Sequence, residues 1–208
     1  ISGPAKKIFE DRLGEIQVIS LFDALSKSSS ILTSTGWQTD FEWRAIEQGK
    51  ARGKHVVTFL DHWVNYPSRF LRNGKAAYPD EIWVGDSYAA KLARSTFPGM
   101  KIRQFVNPYF VDFVNDVRRI EDKASSRLSH FQNILYVSEN INHSDFCQDD
   151  AFRYFINNLE ALGVEIGKIV FRPHPSEIAA KYAWILNEFS ANLRLSDGSS
   201  LANDVASS

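Results

Sequence analysis

Short apolar runs alternate with amphipathic stretches along most of the chain. In the first part, four runs are each followed by an amphipathic stretch of about ten or more residues: SILTSTGW, HVVTFLDHW, EIWVGD and KIRQFVNPY. A second series begins later, with the runs NILYVSEN, KIVFRPHP and NLRLSD. Strands rich in Val, Ile and Phe that alternate with helices form βαβ units and mainly parallel sheets. The pattern therefore predicts an α/β fold with two Rossmann-like parallel sheets.

A charged stretch from Asn115 to His130, NDVRRIEDKASSRLSH, interrupts this alternation. It is typical of a solvated connecting helix or linker. We therefore place a domain boundary near residue 125, with one Rossmann-like domain over 1–124 and a partial second one over 125–208. The first residue is not Met, and the last helical pattern has barely begun when the chain ends. We expect a segment of a longer protein, with a truncated second sheet whose open edge lets copies associate.

Composition narrows the classes of function. The 208 residues are 44% hydrophobic and carry a formal charge of −1, so no basic excess favours a nucleic-acid partner. The apolar runs fall short of the roughly 20 residues that a transmembrane helix needs. The five histidines and the one cysteine show no metal-ligand spacing, and no glycine-rich dinucleotide or P-loop motif occurs. We therefore expect no transmembrane segment, no metal and no bound cofactor.

In open parallel sheets, ligands bind beyond the carboxyl ends of the strands. In the first series, Asp61 and His62 follow directly on the run HVVTFL. A histidine at such a rim can act as a general base on a hydroxyl group, with Asp61 as the alternative base. The competing interpretation is that His62 only hydrogen-bonds the strand end. Thr35, Gly36 and Trp37 follow the preceding run, and a tryptophan at the rim can stack on a sugar ring.

The second series carries the segment GKIVFRPHPSE, in which a strand ends at Arg172. Pro173 and Pro175 hold His174 in an extended turn, which delivers a cation and an imidazole to the rim of the sheet. A helix predicted to begin near Ser176 adds free backbone N–H groups and a positive dipole end. This combination suits a phosphate or pyrophosphate, although a purely structural histidine is the alternative.

Three further residues join this candidate donor site. Glu177 lies in the first turn of the predicted helix, where it either interacts with the helix dipole or accepts hydrogen bonds from a ribose hydroxyl. Ser138 and Asn140 follow the first strand of the second series and fall at the same edge of the sheet. We assign both to donor binding.

The order of the two α/β series, the segment FRPHPSE and the following LSDGSSLANDVASS resemble GT-B glycosyltransferases. The likeness is to bacterial sialyltransferase and polysialyltransferase-type proteins and to CDP-glycerol polymerase-type proteins. In these families an Arg/Lys-Pro-His-Pro motif binds the phosphate of the donor nucleotide, which implies that role for His174. The resemblance also implies polysaccharide biosynthesis and a cytoplasmic location, with peripheral membrane association as the alternative.

Together these features predict metal-independent transfer of a sugar from a nucleotide-sugar donor to a glycan or related acceptor. Arg172 and His174 neutralise the leaving phosphate, while Asp61 or His62 deprotonates the acceptor. Two alternatives stay open: a sugar-nucleotide epimerase or hydrolase, and a non-catalytic module that binds nucleotide sugars. Because the second sheet is expected to be incomplete, we expect no transferase turnover from these 208 residues alone.

Overall fold

The computed structural model of the protein describes residues 4–36, 39–122, 132–140, 142–143, 145–189 and 192–208. The chain divides into two compact units, Ile1–Asn107 and Pro108–Ser208. The division falls earlier than the boundary expected near residue 125, because the helix that begins at Pro108 packs against the last helix of the chain. Each unit contains a parallel sheet, which confirms the predicted α/β class.

The first unit consists of five helices and six strands in its described part. The helices are α1 (Pro4–Leu13), α2 (Leu21–Lys27), α3 (Phe41–Ala51), α4 (Tyr66–Arg69) and α5 (Ser87–Thr96). The strands are β1 (Ser30–Thr33), β2 (His55–Leu60), β3 (Leu71–Arg72), β4 (Lys75–Ala76), β5 (Glu81–Val84) and β6 (Lys101–Gln104). Four of them form a parallel sheet in the order β1-β2-β5-β6, so each crossover moves one strand further in the same direction.

The core of the first unit lies between this sheet and its helices. Val56 of β2 and Ile82 of β5 are fully buried and pack in one cluster with Ile46 of α3 and Ala90 of α5. Apolar residues of the strands meet the apolar faces of the helices, as the alternation of apolar runs and amphipathic stretches predicts. The helices therefore fix the sheet, and the loops after β1, β2 and β5 are left at its carboxyl edge.

The stretch YPSRFLRNGK does not form the amphipathic helix that the alternation suggests. Only one helical turn, α4, is present, and a short antiparallel hairpin of β3 and β4 follows it. The turn between them contains Asn73 and Gly74, which both have positive φ angles of 48° and 76°. An Asn-Gly pair favours this type of two-residue hairpin turn, so local turn chemistry ends the helix early.

The second unit has a smaller sheet. Its helices are α6 (Pro108–Glu121), α7 (Gln148–Asn157), α8 (Ala183–Glu188) and α9 (Leu201–Ala206), with short 3-10 helices at Leu159–Leu162 and Ala179–Tyr182. Its strands are β7 (Gln132–Val137), β8 (Asn142–His143), β9 (Phe146–Cys147), β10 (Ile166–Arg172) and β11 (Leu193–Leu195). Three of them form a parallel sheet in the order β11-β10-β7, and β8 and β9 form a separate hairpin.

Aromatic side chains dominate the core of the second unit. Phe171 of β10 and Phe152 of α7 are fully buried, with their ring centroids 4.6 Å apart in an edge-on arrangement. Tyr182 and Ile185 complete the cluster, and the ring centroid of Tyr182 lies 4.8 Å from that of Phe171. This packing fixes the position of the turn that follows Arg172. Among the described residues, no helix combines the length and the apolar character needed to cross a membrane.

Candidate functional site

A cavity of about 280 Å³ opens in the first unit at the carboxyl ends of β1 and β2. Its lining residues are mostly polar or charged: Ser34, Thr35, Gly36, Thr39, Glu42, Asp61, His62 and Arg69. The four residues predicted for this edge, two after each strand, therefore line one cavity. Trp37, the fifth residue assigned to this side, lies outside the described residues. The catalytic roles of Asp61 and His62 stay predictions.

Arg69 is the central cation of this cavity, and the sequence analysis missed it. Its side chain is only 9% exposed, and Nη1 lies 3.6 Å from Oδ1 of Asp61. The same nitrogen donates to the carbonyl oxygen and to Oγ1 of Thr35, at 3.1 and 3.0 Å, and Nε donates to the carbonyl of Val64. Arg69 thus ties the loop after β1 to the loop after β2. Pro67 was the one local signal in the sequence, because proline favours the first turn of a helix. That turn, α4, places Arg69 close to the loop after β2.

Glu42 contributes a second carboxylate to the lining of this cavity and was also missed. Its carboxylate lies against Gly36, where an added Cβ would come within 2.9 Å of Oε2. Ser34 donates a long hydrogen bond of 3.5 Å to Oε1. Oε2 is buried and has no hydrogen-bond partner among the described residues. A side chain at position 36 would therefore displace the carboxylate of Glu42, and the cavity contains the carboxylates of Glu42 in α3 and of Asp61 after β2.

Trp63 follows His62 directly in the sequence and is not itself among the residues that line the cavity. Its Nε1 donates a hydrogen bond of 2.8 Å to Oδ2 of Asp86. Asp86 caps α5 at the same time, because its Oδ1 accepts a hydrogen bond of 2.7 Å from the amide of Ala89. The side chain of Asp86 thus orients an exposed indole at the edge of the sheet.

The second group of predicted residues also comes together, at the carboxyl edge of the second sheet. The amide of Ser138, just after β7, donates to the carbonyl of Arg172 at the end of β10. Asn140 reaches the turn after β10, where its Nδ2 donates to Oγ of Ser176 at 3.1 Å. Parallel pairing of Val137 with Arg172 places both loops at the same edge.

His174 is held by the residue two positions further on. The backbone amide of Ser176 donates to its Nδ1 at 3.2 Å, and Oγ of Ser176 lies 2.7 Å from the same nitrogen. An Nδ1 that accepts the amide hydrogen bond has no proton of its own, so a neutral ring carries its proton on Nε2. Asn140 donates to the same Oγ, which leaves its hydroxyl hydrogen for Nδ1. The turn therefore presents Nε2–H of His174 as a hydrogen-bond donor.

The prediction of a helix that begins near Ser176 is wrong. A turn continues to Ile178, which is extended with φ −87° and ψ 120°, and a 3-10 helix follows at Ala179–Tyr182. Helix α8 begins only at Ala183 and has six residues. The predicted helix dipole is therefore absent at this turn, and the amides of Ser176 and Glu177 donate to Nδ1 and to the carbonyl of His174. Side-chain contacts of Glu177 with α7 and with Tyr182 hold the turn open, which the local helical pattern did not reveal.

Arg172 has a structural partner that the sequence analysis did not identify. Its Nη1 forms an ion pair with Oδ2 of Asp204 in α9 and donates to the carbonyl of Ser199 at 2.8 Å. Asp204 is 1% exposed and also accepts a hydrogen bond of 2.6 Å from Ser196. These bonds fix the loop between β11 and α9 beside the end of β10. Contact of Arg172 with a phosphate stays a prediction.

Glu177 is also engaged within the protein. Its Oε1 accepts hydrogen bonds from Nε2 of Gln148 at 2.9 Å and from Nζ of Lys181 at 3.0 Å, and its Oε2 accepts one from the hydroxyl of Tyr182. Burial opposes ionisation of this carboxyl, but the hydrogen bonds from Tyr182 and Lys181 outweigh it and hold the pKa of Glu177 below its ordinary value. The carboxylate of Glu177 therefore stabilises the turn that carries His174.

In the part of the chain that the structure describes, no group of three or more His, Cys, Asp or Glu side chains is arranged to hold a metal ion. Comparisons with protein-family models, with curated proteins and with solved structures find no match for this chain. What the residues themselves define is an α/β protein with two parallel sheets, each carrying a polar cluster at its carboxyl edge.

Proposed function

We propose that this chain belongs to a GT-B-like glycosyltransferase that transfers a sugar from a nucleotide-sugar donor to a glycan or related acceptor. The observation that carries the proposal is the geometry of His174. Its Nδ1 is occupied by the amide of Ser176, so its Nε2–H is a donor at the carboxyl edge of a parallel sheet. Ligands of open α/β sheets bind at this edge, and a phosphate oxygen is a strong acceptor for such a donor.

The donor phosphate binds at the turn after β10 in this proposal. His174 donates to a phosphate oxygen, and Asn140 and Ser138 contact the nucleotide from the loop after β7. Arg172 contributes positive charge to the site. Because it pairs with Asp204, its main role is to position the loop between β11 and α9. Glu177 supports the same turn through its three hydrogen bonds, with a ribose contact as a further prediction.

The acceptor binds in the cavity of the first unit. Asp61 or His62 removes the proton of an acceptor hydroxyl, whose oxygen then bonds to the anomeric carbon of the donor sugar. The bond between that carbon and the phosphate oxygen breaks, and the phosphate leaves with the bonding electrons. Hydrogen bonding from His174 and positive charge from Arg172 stabilise the charge that develops on the leaving phosphate. No metal takes part in this proposed reaction.

The first test is a thermal-shift panel with CMP, CDP, UDP and GDP. A nucleotide at one hundred times its dissociation constant stabilises the folded state by about 2.7 kcal/mol. We expect at least one of the four to raise the unfolding temperature of the second unit. If none of them does so at millimolar concentration, the proposed donor site is refuted.

Turnover separates the transferase from the alternatives. In a protein that contains these residues, nucleotide release that depends on the acceptor supports a transferase. Release at the same rate without an acceptor supports a hydrolase. Binding of a nucleotide sugar without release of nucleotide under any condition supports a non-catalytic module.

A further inference from the structure

Trp63 is an exposed aromatic side chain with a fixed orientation. Half of its surface is exposed, although an exposed indole ordinarily costs the protein favourable burial. Its Nε1 is held by Asp86 at 2.8 Å, and Asp86 is itself fixed as the cap of α5. The polar atom of the ring is therefore satisfied within the protein, while much of its apolar surface remains open to solvent.

Trp63 follows two cavity-lining residues in the chain, and the chemistry of that cavity indicates what kind of ligand the ring suits. Asp61 and His62, the two residues before it, line the 280 Å³ cavity together with Glu42 and hydroxyl-bearing residues. This volume is at the lower end of ligand pockets, which begin near roughly 300 Å³, so it suits a ligand of monosaccharide size. A sugar ring has hydroxyl groups at its edge, which match the polar cavity, and a face of C–H groups, which matches an aromatic surface.

We propose that Trp63 is a specificity-determining residue that stacks on a saccharide ring bound at the cavity. The ring that stacks on Trp63 adjoins the unit whose hydroxyl faces Asp61 or His62. Asp86 is a positioning residue, because its carboxylate sets the orientation of the indole. This inference rests on the proposed function for the identity of the cavity as an acceptor site, but it makes its own claim about saccharide binding that does not require turnover.

Saturation-transfer difference NMR on the 208-residue chain tests the proposal with four disaccharides: lactose, maltose, cellobiose and N,N′-diacetylchitobiose. For at least one of them we expect saturation transfer that is strongest at the C–H protons of one ring. Trp63→Ala should weaken that disaccharide's binding about five- to tenfold, the scale of a single aromatic contact. Trp63→Phe retains an aromatic face and should stay within about threefold of the wild type.

Two further variants control for the position and the orientation of the ring. Tyr154→Ala removes an aromatic side chain of the second unit that is 71% exposed, and it should leave disaccharide binding unchanged. Asp86→Asn keeps a capping side chain for α5 and the whole indole but removes the carboxylate that accepts from it, so it should weaken binding measurably and by no more than Trp63→Phe, which loses the same hydrogen bond and part of the ring.

Two results would overturn the proposal: unchanged binding by Trp63→Ala, or no saturation transfer to any of the four disaccharides from the wild-type chain. Neither result bears on the nucleotide site, which the thermal-shift panel reports separately. A chain that binds nucleotide but no disaccharide would refute the role of Trp63 and leave the proposed donor site standing. A chain that binds a disaccharide through Trp63 but no nucleotide would refute the donor site alone.

Discussion

Replacing Asp204 with Asn should destabilise the second unit strongly. The side chain of Asp204 is 2% exposed and accepts hydrogen bonds from both Arg172 and Ser196. Loss of its charge leaves the guanidinium of Arg172, itself only 19% exposed, without a compensating carboxylate. Breaking a buried ion pair by removing one partner costs roughly 3–5 kcal/mol, and partial exposure of Arg172 places this case at the lower end, at about 3 kcal/mol.

Thermal and urea unfolding of the wild type and the Asp204→Asn variant measure this cost. For a unit of this size, about 3 kcal/mol corresponds to a decrease in melting temperature on the order of 10–20 °C. Asp116→Asn is the matched control, because Asp116 forms an exposed ion pair with Arg119 in α6. Exposed pairs contribute about 0–1 kcal/mol, so the control should lower the melting temperature by only a few degrees, about 5 °C or less.

A double variant isolates the pair itself. Replacing Arg172 with Met together with Asp204→Leu removes both charges, and apolar replacement of a whole buried pair is often close to neutral. We therefore expect the double variant to be more stable than Asp204→Asn. If Asp204→Asn unfolds like the Asp116→Asn control, the ion pair does not hold the loop between β11 and α9, and the structural role given to Arg172 is wrong.

Two further predictions concern stability. The pKa of Glu177 in the folded chain lies below its ordinary value of 4.5. The ionised carboxylate therefore stabilises the fold at pH values above 4.5, and this stabilisation is lost as the pH falls through the lowered pKa of the folded state. Glu177→Gln should therefore reduce stability at pH 7 and flatten its decrease below pH 4.5 in urea titrations, whereas an unchanged slope would contradict the hydrogen bonds described. Gly49→Ala should destabilise the first unit by about 1–3 kcal/mol in urea unfolding, because the Cβ of the alanine would overlap the side chain of Ile31 and lie 3.0 Å from that of Val56. Alanine is the better helix former, so a gain in stability would refute this packing.

The strands of both sheets could be predicted from the sequence because their signal is local. Runs such as HVVTFL and KIVFR combine β-branched and aromatic residues, and each forms a strand in the structure. The same rule placed Asp61, His62 and His174 at the carboxyl ends of strands, where the structure has them. Parallel pairing needs no further information once strands and helices alternate.

The sequence analysis missed Arg69 and the partner of Arg172, because both depend on tertiary contacts. Arg69 contacts Thr35, and Arg172 contacts Asp204, which lie 34 and 32 positions away in the chain. No local periodicity encodes such pairs, since each of these charged residues also fits a solvated surface. The wrong helix start near Ser176 has the same origin, because contacts of Glu177 with Gln148 compete with the local helical pattern.

Isothermal titration of the wild type and the His174→Ala variant with the nucleotide that gives the largest thermal shift tests the central claim most directly. If Nε2 of His174 donates to the donor phosphate, the substitution should weaken binding by about 1.5–3 kcal/mol, or roughly 10- to 150-fold. Circular dichroism and the unfolding temperature of the variant without nucleotide should match the wild type, so that the loss is one of contact and not of fold. Unchanged affinity in a folded His174→Ala variant would remove His174 from the site and contradict the account.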